Sequence, residues 1–369
     1  MKTLFRGITI AVCLLTASVA FGQTSISPYK PGLTGEGAVY FLPKTALRIS
    51  VLVEKTTYTP GDLASYAQRY LRLTNVGLEP TVSHRVISVS QMAIGVADPT
   101  KCYTVKYNPA TVAANVVLSD DGCLLAVNAE ANRPTLPAPF QPAAKEEPVN
   151  PRLFMSEEIL AAGSTAKMAE LTAQEIYDIR ENRSLLVKGQ ADFMPKDGEQ
   201  LRLMLNQLEK QDRALTSMFQ GVTTRDTTEH IITYIPDGPV NHHVLFRLSN
   251  QLGMVDADDL SGAPFYINID DLTSLPPTDE LALAKAKLKK SKTTEQGIYY
   301  IIPGRMRATI FQGVQPIQST EHPCAQFGNV ELLGGNLFNR RFTTHLWLSP
   351  VSGALEKLLP LPVEPEKKK

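Results

Sequence analysis

Short segments rich in branched and aromatic residues recur along this 369-residue sequence and dictate the class of fold it can form. Such side chains suit the pleated surface of a sheet, and turn-forming residues separate the segments. Their spacing favours meander or Greek-key connections over alternating βαβ units. We therefore predict an α+β fold that is mostly β. The strand candidates are Ala46–Val53, Arg85–Ile94, Cys102–Tyr107, Asn115–Leu118, Cys123–Val127, Thr227–Ile235, Val244–Leu248, Phe265–Ile269, Ile298–Ile302, Arg307–Phe311, Val330–Leu333 and Thr343–Leu348.

Three stretches show the apolar period of a helix instead. The first opens at Thr59-Pro60-Gly61-Asp62, where the threonine can cap a helix and the proline suits its first turn. A capping box, Thr172-x-x-Glu175, predicts the start of the second. Asp197 begins the third, which Gly221 ends. Its stripe is more often core than a partner-binding face, and comprises Leu201, Met204, Leu205, Leu208, Leu215 and Met218.

A proline-rich segment, Arg133–Arg152, divides the sequence and contains six prolines. Proline fixes φ and cannot donate a ladder hydrogen bond, so we expect an extended, exposed segment, either a linker or a strap that crosses between domains. The predicted organisation is two sheet-containing domains with a helical insert. Residues 23–132 form an N-terminal β-rich domain with one helix, 133–152 the linker, 153–359 a C-terminal α+β domain, and 360–369 a disordered tail.

Residues 1–22 have the layout of a secretory signal peptide. Lys2 and Arg6 precede a short apolar core, and Ala20-Phe21-Gly22 supplies small residues for cleavage before Gln23. The apolar run is shorter than the about 20 residues of a transmembrane helix. We therefore expect an exported protein, periplasmic or outer-membrane associated, with no transmembrane segment in the mature chain.

Charge and motifs limit the possible functions. The sequence has 37 basic and 37 acidic residues, whereas a dedicated nucleic-acid binder has a strongly basic domain. It contains no G-x-S-x-G, HExxH or CxxC motif, so we predict no catalytic residue and no cofactor. The leading expectation is a non-catalytic cell-envelope protein that acts as a binding or assembly module, its partner an envelope protein or a glycan. The alternative is an exported hydrolase acting on glycans or peptides.

The densest acidic cluster is a weak candidate for a metal site. Asp256, Asp258 and Asp259 could offer oxygen ligands to calcium. Leu260 and Ser261, however, occupy positions where an EF-hand loop has an oxygen ligand and a glycine. A polar turn is the favoured interpretation, because Asp and Gly are turn-forming residues.

Cysteines and histidines give two further expectations. Export permits disulfides, and we predict one between Cys102 and Cys123, with two buried thiols as the alternative. Cys324 is expected to be a buried thiol. The adjacent His242 and His243 would point to opposite faces of a strand, so they are not expected to share a metal.

Two Y-x-x-P motifs hint at internal duplication. Tyr40-Phe41-Leu42-Pro43 and Tyr300-Ile301-Ile302-Pro303 each precede a strand that contains an arginine. Two fixed residues in four also arise by chance, so both interpretations stay open.

Six blocks of the sequence carry a family resemblance: YFLPKTALRISVLVEK, YTPGDLASYAQRYL, DGEQLRLMLNQLEKQDRALTSMFQG, FRLSNQLGMVDADDLSGAPFYI, YYIIPGRMRATI and AQFGNVELL. Together they resemble an uncharacterised family of exported proteins from Gram-negative envelopes, domain of unknown function 4831. The resemblance covers nearly the whole mature chain and implies export and a shared two-part layout. It supplies no catalytic residue, cofactor or substrate.

Overall fold

The computed structural model describes residues 25–32, 37–106, 115–131, 133–144, 149–195, 197–274, 295–334 and 342–362. The predicted signal peptide, residues 1–22, and the end of the predicted tail, residues 363–369, lie outside these ranges. The described chain is α+β and mostly β, so the predicted fold class is confirmed.

Thirteen strands and four α-helices form within the described ranges, with short 3₁₀ turns at Ala64–Tyr66 and Pro151–Phe154. The helices are α1 (Ala67–Leu71), α2 (Glu157–Leu160), α3 (Thr165–Lys188) and α4 (Gly198–Gln220). The strands are β1 (Ser25–Pro28), β2 (Ala38–Thr59), β3 (Thr81–Lys106), β4 (Val116–Leu118), β5 (Leu124–Val127), β6 (Val222–Tyr234), β7 (Val240–Ser249), β8 (Gly253–Val255), β9 (Ala263–Asp271), β10 (Glu295–Gln312), β11 (Gln315–Gly334), β12 (Phe342–Leu348) and β13 (Leu355–Pro362).

Two long antiparallel pairs, β2–β3 and β10–β11, are the main parts of the larger sheet. Its order is β6-β2-β3-β1-β10-β9-β7-β8, and β11 pairs with β10 off this path. The inner faces of β2, β7, β9 and β10 enclose the larger apolar core, which excludes water from the side chains that alternate inward along each strand. This core contains Leu47, Ile49, Val51, Phe246, Phe265, Ile267, Ile269, Met306, Ala308 and Ile310.

A four-stranded sheet, β13-β12-β5-β4, covers a second core made with the ends of β2 and β10. It joins β5, which precedes the proline-rich segment, to β12, which follows it. The larger sheet likewise joins β2 to β6. Strand pairing therefore crosses the boundary predicted at 133–152, and that segment does not separate one sheet from the other.

The described part of the proline-rich segment, residues 133–144, has no helix or strand and lies as a strap against β6. The backbone N–H of Phe140 donates to Glu229 Oε2 at 2.9 Å, and Ser50 Oγ donates to Glu229 Oε1 at 2.5 Å. These hydrogen bonds lower the pKa of Glu229, that from Ser50 having the largest effect. Most residues of this part are exposed, but the hydrogen bond from Phe140 to Glu229 attaches it to the fold.

The helices agree with the sequence at some ends and differ at others. Asp197 caps α4 and Gly221 ends it with a φ of 77°, as predicted. Helix α3 begins much earlier than predicted, because the Ser164 side chain caps it, and the Thr172 hydroxyl bonds to Met168 O inside it. Thr59 still belongs to β2, so the first helix is only a 3₁₀ turn followed by α1.

The predicted stripe of α4 is buried only near its C-terminal end. Leu215 and Met218 belong to a third apolar core, formed where the helices pack together, whereas Met204 is 39% exposed. The prediction of a disordered tail from residue 360 is wrong for its first residues. Pro360, Leu361 and Pro362 pair with β12 as the end of β13.

Both Y-x-x-P motifs coincide with a β-bulge. The register shifts between Phe41 and Pro43 in β2, and between Ile302 and Gly304 in β10. Proline cannot donate to a ladder and is therefore placed where pairing is interrupted. The two long antiparallel pairs, β2–β3 and β10–β11, thus share a shift of register at corresponding motifs, which supports the duplication interpretation.

The turn between β12 and β13 contacts both long antiparallel pairs, β2–β3 and β10–β11. Ile301 N donates to Gly353 O at 2.9 Å, and Thr45 Oγ1 donates to Val351 O at 3.1 Å. On β3, a Cβ at Gly95 would lie 1.8 Å from Pro350 O, so only glycine allows this approach.

Candidate functional site

The acidic cluster forms a closed turn between β8 and β9. Asp259 N donates to Asp256 O at 3.1 Å, and Ser261 N donates to Asp259 Oδ1 at 2.9 Å. The latter bond is the main cause of a lowered pKa at Asp259. Arg247 Nε donates to Ala257 O at 2.7 Å. These internal bonds account for the acidic residues as a polar turn.

The three aspartates Asp256, Asp258 and Asp259 do not come together as a metal site. No group of three or more histidine, cysteine or carboxylate residues suited to a metal ion occurs in the part of the chain that the structure describes. The carboxyl group of Asp259 already accepts a backbone hydrogen bond, which leaves it directed into the turn.

The cysteines Cys102 and Cys123 flank Phe41 on opposite sides. Phe41 pairs with Cys102 of β3 on one side and bridges to Cys123 on the other. Neighbouring strands lie about 4.8 Å apart, so the Cα atoms of Cys102 and Cys123, on either side of Phe41, are about 10 Å apart. A disulfide requires a Cα–Cα distance of less than about 7 Å. Both thiols are free in the structure, and burial raises the pKa of Cys123 to about 11. The disulfide stays a prediction, and it requires Phe41 to leave its position between the two residues.

The adjacent histidines at the start of β7 contact different partners. The His243 ring lies 5.2 Å from the Tyr234 ring, on the side of β6. The His242 ring meets Phe311 edge-on at 5.2 Å and Tyr266 at 5.9 Å, on the side of β9 and β10. This division agrees with the expectation that the two side chains do not share a metal.

His242 has a backbone conformation that side-chain-bearing residues rarely adopt. Its φ is 55°, in the left-handed region, and it lies within an irregularity of β7 between Val240 and His243. Its N–H donates to Asn268 Oδ1 at 2.7 Å, which fixes the bulge to β9. Such conformations persist only where surrounding contacts enforce them, and they concentrate at functional sites.

The imidazole lies against a pair of aromatic rings on neighbouring strands. Tyr266 of β9 and Phe311 of β10 are directly paired, and their rings stack at 5.5 Å with an angle of 23°. Phe311 is nearly covered, Tyr266 is half-buried and His242 is exposed. The bulge therefore presents an imidazole and a phenol ring to solvent above a phenylalanine support.

Polar rows continue from this aromatic group along β9, β10 and β11. Asn268, Thr309 and Ser319 are paired across the strands, and the two hydroxyls lie 2.8 Å apart. The next row places Asp270, Arg307 and Glu321 side by side. We name the combined surface the outer face, and it comprises His242, Tyr266, Asn268, Asp270, Arg305, Arg307, Thr309, Phe311, Ser319 and Glu321.

One carboxylate links the arginines of the outer face. Arg307 Nη2 donates to Glu321 Oε1 at 2.8 Å, and Arg305 Nη2 donates to the other carboxylate oxygen. The bond from Arg307 is the largest cause of the lowered pKa of Glu321. Glu321 therefore carries its negative charge over most of the pH range, and the outer face is electrically balanced at this end.

The outer face is assembled from alternate residues of strands that are buried on their other side. Along β10, Met306, Ala308 and Ile310 have no exposed surface, so Arg305, Arg307 and Thr309 must point outward. The alternation of polar and apolar residues in Arg305–Phe311 is the feature of the sequence that could have indicated this face. Sequence reasoning missed the site because its members come from strands far apart in the chain and match no motif.

The carboxyl groups with shifted pKa values are stabilised in their charged form by hydrogen bonds. In the described part of the chain, the carboxyl groups with a clearly shifted pKa all have it lowered, namely Glu209, Glu229, Asp259 and Glu321. Only Glu321 among them belongs to the outer face.

Comparison with known proteins places the chain in a family. The model of the family described as "Domain of unknown function (DUF4831)" matches residues 36–356, and the chain belongs to that family. The comparisons with curated proteins and with solved structures gave no match. Among the described residues, no helix combines the length and the apolar character needed to cross a membrane.

Proposed function

We propose that this family member is an exported, non-catalytic cell-envelope protein, a binding or assembly module whose binding surface is the outer face. The observation that carries the proposal is His242, held in a left-handed conformation so that its ring stands exposed beside Tyr266. A left-handed conformation costs a residue other than glycine about 1–3 kcal/mol, and such residues concentrate at functional sites, which supports a role for this exposed ring. Export itself rests on the sequence of residues 1–22.

Two measurements test this function. Expression of the full chain in a Gram-negative host, followed by N-terminal sequencing of the periplasmic and outer-membrane fractions, is expected to find a mature protein that begins at Gln23. The purified mature protein is expected to sediment with isolated cell-envelope material, and Tyr266→Ala should reduce the bound fraction.

A matched control uses an aromatic residue elsewhere. Phe193 lies between α3 and α4 and is 84% exposed, so Phe193→Ala removes a similar ring from a different surface. The proposal fails if the mature protein does not sediment with the envelope, or if Tyr266→Ala and Phe193→Ala behave alike. Turnover of a glycan or peptide substrate by the purified protein would instead support the hydrolase alternative.

A further inference from the structure

The outer face has the charge balance of a surface for an uncharged ligand. Asp270 and Glu321 are matched by Arg305 and Arg307, and Glu321 accepts from both arginines. A polyanion such as nucleic acid or a sulfated polymer is held by an excess of cations, which this face lacks.

Its polar groups suit a ligand that both donates and accepts hydrogen bonds along its length. Asn268 has an amide, and Thr309 and Ser319 have hydroxyls, so this row offers both donors and acceptors. Successive rows lie two residues apart along the strands, so three rows span about 14 Å. An extended, hydroxyl-rich chain of a few units matches this length.

The aromatic end supplies an apolar contact of limited size. Tyr266 and His242 offer ring surface, while Phe311 beneath them is nearly covered. A protein interface of ordinary size requires a larger apolar centre that is depleted of charges. One face of a sugar ring, which consists of C–H groups between hydroxyl edges, fits a ring contact of this size flanked by polar rows.

We propose that the outer face binds a neutral glycan. Tyr266 and His242 contact the apolar face of one sugar, and Asn268, Thr309 and Ser319 form hydrogen bonds with the hydroxyls of the units that follow. This inference rests on the proposed function and names the ligand class of the same surface.

Glycine at position 242 separates a ligand contact from a structural role. His242→Gly removes the ring but suits the left-handed φ of 55°, and the N–H that donates to Asn268 is retained. The fold is therefore expected to persist in this variant while the ligand loses a contact.

The experiment is calorimetric titration of the full mature chain with neutral oligosaccharides of glucose, galactose and N-acetylglucosamine, with sulfated dextran as the charged probe. We expect one neutral series to bind, and His242→Gly and Tyr266→Ala to weaken that binding at least about tenfold. Phe193→Ala should leave it unchanged. Circular dichroism verifies that each variant is folded, and Ser319→Ala, which leaves the hydrogen bond between His242 and Asn268 in place, provides a second test if Tyr266→Ala does not fold.

Three outcomes overturn the inference: no neutral oligosaccharide binds, the variants bind as tightly as the parent, or sulfated dextran binds more tightly than every neutral probe. The proposed function can fail separately. If His242→Gly reduces sedimentation with envelope material while no oligosaccharide binds, the binding function stands and the glycan assignment is wrong. If neither assay responds to the variants, both are wrong.

Discussion

The side chain of Gln326 replaces a missing strand at the edge of β2, and this makes its removal unusually costly. Pairing of β2 with β6 stops at Leu47 opposite Tyr234, so the backbone of Thr45 lies beyond the last residue of β6. Thr45 N donates to Gln326 Oε1 at 2.9 Å, and Gln326 Nε2 donates to Thr45 O at 2.8 Å. One amide thereby satisfies both backbone groups of a residue with no exposed surface.

The same network joins further parts of the chain. Gln326 Nε2 also donates to Pro236 O at 3.2 Å, in the connection that leads from β6 to β7. The Thr45 hydroxyl accepts from Ala325 N at 3.0 Å. Gln326 therefore fixes β2, β11 and this connection to one another, beside the turn that carries Val351.

Gln326→Ala leaves the buried N–H and C=O of Thr45 without these partners and removes a donor from Pro236 O. Each of the two Thr45 groups costs about 1–3 kcal/mol, so we expect a loss of about 2–6 kcal/mol in the free energy of unfolding. This is a large fraction of the about 5–15 kcal/mol typical of a folded protein. Gln326→Glu should be at least as harmful, because a carboxylate oxygen would then face the carbonyls of Thr45 and Pro236.

Urea unfolding monitored by the fluorescence of Trp347, the single tryptophan, measures the effect. We expect the midpoint to fall while the slope stays constant, since the surface exposed on unfolding is unchanged. Gln315→Ala, at the exposed tip of the β10–β11 hairpin, is the matched control and should shift stability by less than about 0.5 kcal/mol. Equal midpoints for Gln326→Ala and Gln315→Ala would refute the reasoning.

Three further predictions use other sites. Gly95→Ala places a Cβ against the carbonyl oxygen of Pro350 and should lower the free energy of unfolding by about 1–3 kcal/mol, measured by thermal or urea unfolding. Gly163→Ala is the control, because a Cβ there has open space and should change the stability little. Equal effects of the two substitutions would contradict the packing argument. Burial lowers the pKa of His322 below its ordinary 6.5. As the pH falls, the unfolded chain therefore takes up the proton first, so the stability due to neutral His322 is complete above pH 6.5 and is lost below it. His322→Gln should weaken the pH dependence of the free energy of unfolding, measured by urea unfolding at several pH values. An unchanged pH dependence would disprove this prediction. Glu229→Ala should speed proteolytic cleavage within residues 133–144 relative to Glu331→Ala, because the strap loses its anchor, and equal rates would show that other contacts hold it.

Local chemistry allowed several features to be predicted from the sequence. The start and end of α4 follow from Asp197 and Gly221, because capping and a left-handed C-terminal residue depend on neighbours in the chain. Every strand candidate overlaps an observed strand, because branched and aromatic side chains favour the extended backbone locally. Asn115, Cys123 and Ile235 lie just outside the observed strands, and Tyr107 lies outside the described residues. Helix α3 was predicted too short because Thr172 also fits a cap, whereas the structure has Ser164 as the cap and places the Thr172 hydroxyl on Met168 O inside the helix.

The candidate site could not be predicted in the same way. Tyr266, Thr309 and Ser319 become neighbours only through strand register, which depends on which face of each strand is buried. The bulge that turns His242 outward depends in turn on a hydrogen bond to Asn268, from a different strand. The sequence shows the alternation of apolar and polar residues along each strand, but it does not show which strands pair or in which register.

The sequence by itself determined the fold class, most of the segments that form strands, and the cap and end of the longest predicted helix, because propensity and local hydrogen bonding act over a few residues. It also determined membership of the family. Only the tertiary structure decided that strands from both sides of the proline-rich segment share each sheet, that Gln326 completes the edge of β2, and that aromatic and polar residues converge on one face. Burial of apolar surface between distant strands selects these pairings, and that free energy is a property of the assembled core.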